Sequence, residues 1–462
     1  MLKMIRKIVR DDNFLSLLGN TSTAVLGFLT FFVLIRSLET DSFGEWVLFI
    51  TAATLVDLLR FGITRVALTR FLSGVSLEER KHYIGSSWLI GLVSILVFSI
   101  LLYPLLIIFP ETIENSGFYL FFMWYPVLAL SNLPWGNALS ILQADEKFGK
   151  ILILRLFNVA SFLVYLVLNY FLWRMSAEWV VIWYIITNVL TSMISSAYNW
   201  DGVKYIFHAK KYSNKATIQF GKYSMGTSIG SSLLKSADAF IIGLSPFLGT
   251  TGVALYSIPI KYTELVEIII RSFSATAFPK LSKASIENDI DYFRKTFYQY
   301  AGALTFLIIP IGIFFAIFAK EFVYLLGGKE YLYVSRELGI IMQMFIIFSL
   351  LLAIDRFTGI SLDALNKPDK NFYKTIAMTA ANIVGDLIAV FALHALFPDL
   401  SVVFILICVS IGSIGFEIIG LTLGMYFLNK EITVRYAPIF REGFLFYKEL
   451  YSKTFRKKDK TL

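Results

Sequence analysis

Apolar residues in this chain gather into stretches near 14–35, 44–71, 83–109, 118–143, 151–173 and 178–200, and again near 217–245, 253–279, 296–319, 337–363, 372–396 and 400–428. About 20 apolar residues, rising 1.5 Å each, cross the roughly 30 Å hydrocarbon core of a bilayer. The pattern predicts twelve transmembrane helices joined by short connections. The one substantial polar break, DGVKYIFHAKKYSNKA from Asp201 to Ala216, divides them six and six. The predicted organisation is an N-terminal lobe over 1–200, a linker over 201–216, a C-terminal lobe over 217–429 and a tail over 430–462. The halves carry a faint parallel repeat, with Gly44 matching Gly252 and Leu72-Ser73 matching Leu281-Ser282. Such a repeat of six-helix units places a site near the bilayer midplane.

The eighth stretch, Val253 to Pro279, is long enough to span yet holds four charges. At about 100° per residue Lys261, Glu264, Glu267 and Arg271 fall within a third of the helix circumference, while Val266, Ile268, Ile269 and Ile270 cover much of the remainder. A lipid-facing charge near the bilayer centre costs roughly 2.5 to 3.5 kcal/mol. The stripe should therefore face a hydrated or protein-lined interior.

Composition agrees with a membrane protein. Of 462 residues 57% are hydrophobic and 16% charged, with a mean hydropathy of +0.68; about a quarter would be charged in a soluble domain. The lone Cys408 excludes disulfides within the chain and thiolate metal sites, and His82, His208 and His394 are too scattered for a metal cluster. A net charge of +9 is better explained by orientation and anionic lipid than by nucleic acid. Alternate connections, together with the first ten residues and the tail, hold 30 Lys and Arg, and the intervening set holds five. Both termini are predicted to be cytoplasmic. The basic then apolar start, MLKMIRKIVRDDNFLSLLGN, reads as a retained first span. The tail, rich in aromatic and basic residues, reads as an amphipathic helix on the cytoplasmic surface.

No GxxxxGK[ST] loop is present, which argues against ATP hydrolysis in this chain. External loops reach only about 18 residues, Lys320 to Arg336, leaving little room for a catalytic domain. What remains is polar lining. Asp57, Arg60 and Thr64 share a face of the second helix; Ser224, Ser228, Ser231, Lys235 and Asp238 line the seventh. Arg155, Asp355, Arg356, Asp386 and Glu417 stand as single charges in other spans. Spacing also allows structural pairs, Asp57 with Arg60, Lys235 with Asp238 and Glu267 with Arg271. Several cations converging on one lumen would instead suit pyrophosphate or an acidic sugar. Pro259, inside the eighth span, is a candidate hinge.

The segments IRSLETDSFGEW, DLLRFGITRVALTRFLS, QADEKFGK, FGKYSMGTSIGSSLLKSADAFIIG and FPKLSKA resemble the oligosaccharide flippase family, the Wzx-type O-antigen and polysaccharide exporters. That family belongs to the multidrug/oligosaccharidyl-lipid/polysaccharide exporter superfamily, and the likeness runs to about residue 430. It implies an all-α polytopic membrane protein of twelve helices in two six-helix lobes forming a MATE-like V. It also implies alternating access that moves an undecaprenyl-pyrophosphate-linked oligosaccharide to the periplasmic leaflet of a bacterial inner membrane. Arg60, Lys235, Lys261 and Arg271 fit its cationic cavity positions, with Ser224, Ser228, Ser231 and Thr64 as polar lining. Asp57, Asp238, Glu264, Glu267, Asp386 and Glu417 are assigned to charge balance or ion coupling. The first span offers Asn20, Thr21 and Thr23 where lipid II flippases place an arginine.

No cofactor or metal is expected; H+ and Na+ are the candidate coupling ions. Expected partners are the lipid-linked oligosaccharide, membrane lipids, a polysaccharide polymerase and a chain-length regulator, with no nucleic acid. Rival readings are a MATE-type drug or cation antiporter, a membrane-embedded polymerase or ligase, and a scaffold acting through the tail.

Overall fold

Residues 12–174 and 176–455 are described by a computed structural model, in which the side chains of 12–18, 20, 222–229, 231 and 449–455 lie outside the described set. Among the described residues there is no strand, and each predicted span falls on one long helix. These are α1 Asp12–Ser37, α2 Thr40–Leu72, α3 Leu77–Ile108, α4 Tyr119–Ala144, α5 Phe148–Leu168 and α6 Ala177–Ala197. They continue with α7 Lys211–Gly243, α8 Gly249–Ile286, α9 Ile290–Ile317, α10 Ser335–Ala364, α11 Pro368–Leu387 and α12 Val402–Ile432. A thirteenth, α13 Ala437–Phe455, forms the tail. Among the described residues eight helices are long and apolar enough to cross a membrane by length and composition alone, and α8, with its charges, is not one of them. The protein is an all-α, multi-pass membrane protein.

Local chemistry sets the helix ends. Ser76, Asp289 and Ser401 cap α3, α9 and α12 by accepting the backbone N–H three residues on. Asn199, Asn288 and Asn366 take the left-handed conformation just after α6, α8 and α10, one that asparagine tolerates better than most residues. The fifth helix of each half ends alike, α5 running into a π turn at Asn169–Trp173 and α11 into one at Ile388–Ala392. Likewise α4 packs on α6 in the first half as α10 packs on α12 in the second.

The chain folds as two compact units, 1–233 with 249–254 and 234–248 with 255–462. The stretch expected to be a linker belongs to the first unit, and the division falls inside α7. Side chains of α3 hold that stretch: Trp88 Nε1 donates to Asp201 O at 2.9 Å, His82 Nδ1 lies 2.7 Å from His208 O, and Ser86 pairs with Ser213 at 2.7 Å. Elsewhere in this unit α1 lies on α5 and α2 on α4. Gly44 of the IRSLETDSFGEW segment sits where a Cβ would come within 2.0 Å of Thr250 O, so only glycine fits.

In the second unit α12 lies against α10 and α11, α10 against α9, and α13 against α9. Two glycines allow the α12 contacts, since a Cβ on Gly420 would strike Met378 and one on Gly424 would strike Thr358. The tail helix is docked in the same manner. Gly302 and Gly443 bring the α9 and α13 backbones together, and Tyr447 donates to Ala303 O at 2.9 Å.

Candidate functional site

The cationic cluster of the second unit is built on α8. Its buried face, Tyr256, Tyr262, Val266, Ile270, Ala277 and Leu281, packs into the unit, and the opposite face carries the predicted stripe. Lys261 Nζ meets Glu264 at 2.6 Å one turn on. Further along, Glu267 receives Lys235 of α7 at 2.6 Å on one carboxylate oxygen and Arg271 at 3.2 Å on the other. Arg356 of α10 acts on the same carboxylate. Two cations thus contact one acid, one in excess, and Arg356 lies within electrostatic reach of it. The side chains of Lys235 and Arg271 are 56% and 71% exposed. Sequence spacing had allowed Lys235 to pair with Asp238; it crosses to α8 instead, and Arg356 joins as a residue that spacing alone does not place. Pro259 is buried in a continuous α8, where it cannot donate to Leu255 O.

Arg60 has a different place. Its guanidinium donates to Asp57 at 2.7 Å, to Ala129 O at 2.8 Å and to Asn132 Oδ1, and stacks on Phe61 at 4.0 Å. Asp57 also accepts from Tyr125 at 3.0 Å and from Asn132 at 2.9 Å. Arg60 is 1% exposed and Thr64 2%. Here the charge of Arg60, expected at an anionic ligand, is paired with Asp57 and shared with α4 inside the first unit. Ser224, Ser228 and Ser231 lie on α7, but their side chains lie outside the described residues.

Two buried acid clusters complete the second unit. In one, Asp238 of α7 accepts from Tyr256 at 2.6 Å, from Asn382 at 2.7 Å and from Ser413 at 3.4 Å. Asp386, one helical turn beyond Asn382 on α11, faces Asp238. Both Asp386 oxygens and Asn382 Oδ1 are buried without a hydrogen-bond donor. The donor set here is all oxygen, the kind that suits a hard monovalent cation or a shared proton. In the other cluster Lys374 of α11 donates to both oxygens of Asp355 at 2.8 and 2.9 Å, and Glu417 of α12 lies within electrostatic reach of both. Lys374, at the start of the stretch expected near 372–396, is 3% exposed, on α11 two turns past Pro368.

A family model described as "Polysaccharide biosynthesis protein" matches residues 33–336. A probable low-salt glycan biosynthesis flippase, Agl15, of Haloferax volcanii is 25% identical over 176 residues, 38% of this chain and 36% of that protein. The match therefore spans about a third of that relative's length. Among solved structures, a lipid II flippase, MurJ, in an inward closed conformation superimposes with a TM-score of 0.70 at 15% identity, covering 96% of this chain and 99% of the other. An inward-facing multidrug resistance MATE family transporter of the MOP superfamily gives 0.69 at 16% identity, over 88% and 95%. The fold is shared with both.

Proposed function

We infer, because this chain belongs to the polysaccharide biosynthesis protein family, that it is a flippase without an ATPase. It moves an undecaprenyl-pyrophosphate-linked oligosaccharide from the cytoplasmic to the periplasmic leaflet of a bacterial inner membrane, with both termini cytoplasmic. The observation that carries the reading is the surplus of positive charge around Glu267. Arg271 and Lys235 are exposed within what would otherwise be an apolar span, and exposure to lipid there would be costly, so their surface is hydrated. A pyrophosphate takes bidentate contacts from Arg271 and Arg356 and a point charge from Lys235; Lys261, tied to Glu264, contributes at the next turn. Pro259 supplies the flexion that alternating access requires. Coupling runs through the oxygen-only cluster of Asp238, Asn382 and Asp386, which takes up H+ or Na+.

Liposomes containing the full chain and fluorescent lipid-linked oligosaccharide test this. Loss of one charge-assisted contact, worth roughly 1.5 to 3 kcal/mol, predicts that Arg271→Gln and Arg356→Gln each slow translocation by about tenfold or more. Asp386→Asn should abolish acceleration by an imposed ion gradient. Unaltered rates in both arginine variants would remove the anion site. Efflux of cationic drugs with no movement of the lipid-linked sugar would favour the antiporter reading instead.

A further inference from the structure

A cavity of about 190 Å³ opens in the first unit where α3 begins and α4 and α6 end. Arg80, Lys81 and Lys204 line it, and no acid does. Arg80 is fixed by Asp145 at 2.5 Å and by Leu72 O at 2.7 Å. Lys81, bonded to Glu78 at 2.7 Å, and Lys204, over the Tyr205 ring at 5.2 Å, each keep N–H donors for another partner.

The walls are rigid because the 201–208 stretch is bonded to α3, as described above, and because Asp201 accepts from Val203 N at 3.1 Å. Gly202 has φ +67°, and a Cβ there would meet Ile84 at 2.5 Å. Leu77 of the lining is 82% exposed, and Tyr198, stacked on Trp200 of the lining, is 66% exposed. Large apolar side chains beside lysines, at the ends of membrane-spanning helices, match the headgroup zone of a bilayer, where such residues insert and cations meet phosphate.

We propose that this cavity is a headgroup site for an anionic phospholipid. The phosphate lies among Arg80, Lys81 and Lys204, and the acyl chains leave past Leu77 and Tyr198. The proposal is independent of the transport reading.

The test titrates the full chain, purified in neutral detergent, with phosphatidylglycerol or phosphatidylcholine and counts bound lipid by native mass spectrometry. Two lysines near an anionic lipid, at about 1 kcal/mol each, predict that Lys81→Gln/Lys204→Gln weakens phosphatidylglycerol binding by about thirtyfold. Phosphatidylcholine should bind poorly to both proteins, and Lys210→Gln/Lys211→Gln, outside the cavity, should bind as the wild type does. Wild-type affinity in the Lys81/Lys204 variant overturns the proposal, as does equal binding of phosphatidylcholine or equal loss in the Lys210/Lys211 variant. Complete displacement of the lipid by millimolar inorganic phosphate would also overturn it, assigning the cavity to free phosphate.

Discussion

Lys374 offers a stringent test of the packing in the second unit, because α11 carries its own control one turn earlier. The Lys374 and Asp355 side chains are 4% and 7% exposed and share two hydrogen bonds. Lys370, on the same helix, pairs with Asp369 at 3.4 Å with both side chains at least 40% exposed. Truncating one partner of a buried pair costs roughly 3 to 5 kcal/mol, because the other is left charged and desolvated; an exposed pair is worth about 1 kcal/mol or less. Lys374→Met also leaves Asp355 without its ion-pair partner, and Glu417 with Arg356 the remaining cation acting on it. For a unit of this size 1 kcal/mol moves the unfolding midpoint by about 2 to 4 °C. Thermal unfolding of the full chain in detergent should therefore fall by on the order of 10 °C for Lys374→Met and by no more than about 4 °C for Lys370→Met. Adding Asp355→Asn to Lys374→Met should recover at least half of the loss, since removing both members of a buried pair is far less costly than removing one. Equal midpoints for the two lysine variants would show that the seam between α10, α11 and α12 is open to water and the reasoning wrong.

Two other outcomes can be measured directly. Gly302→Leu should push α13 away from α9, where even one Cβ would fall within 2.1 Å of Ile439 O, and protease cleavage after residue 430 should become rapid while the rest of the chain resists. Asp145, in the turn after α4, is partly buried, which alone would raise its pKa, but Lys147 and Arg80 hold it below the ordinary carboxylate value. A depressed folded pKa stabilises above the unfolded value and is lost as pH falls through the folded one. The stability difference between wild type and Asp145→Asn should thus be constant at neutral pH and shrink only below about pH 4, as read by unfolding midpoints across a pH series.

Helix positions were legible because spanning a bilayer demands about 20 apolar residues whatever they pack against. The partners of charged residues were legible only within one helix. Spacing of three puts Asp57 beside Arg60, and the structure pairs them; that Arg60 is buried depends on Asn132 and Ala129 of α4, which no local pattern places next to it. Spacing equally permits Lys235 with Asp238, yet the rotation of α7 turns Asp238 toward Tyr256 and Asn382 and sends Lys235 to Glu267. Lys374 was not singled out because NKPDKNFYK, at the edge of the apolar stretch near 372–396, is polar, whereas Pro368 starts α11 and carries the lysine inside.

These pairings sort charge within the second unit. One of its buried seams holds excess acid, where Asp238 faces Asp386; in the other, Lys374 pairs with Asp355, and Lys374 and Arg356 both act on Glu417. Its α8 cluster holds excess cation around Glu267, with Lys235 and Arg271 exposed. Uncompensated charge is tolerated far less in a dry seam than on a wet face, so the acids of the seam are the costly ones, whereas Lys235 and Arg271 keep their charge in contact with solvent. One unit thereby keeps a buried, acid-rich seam apart from an exposed, cation-rich face.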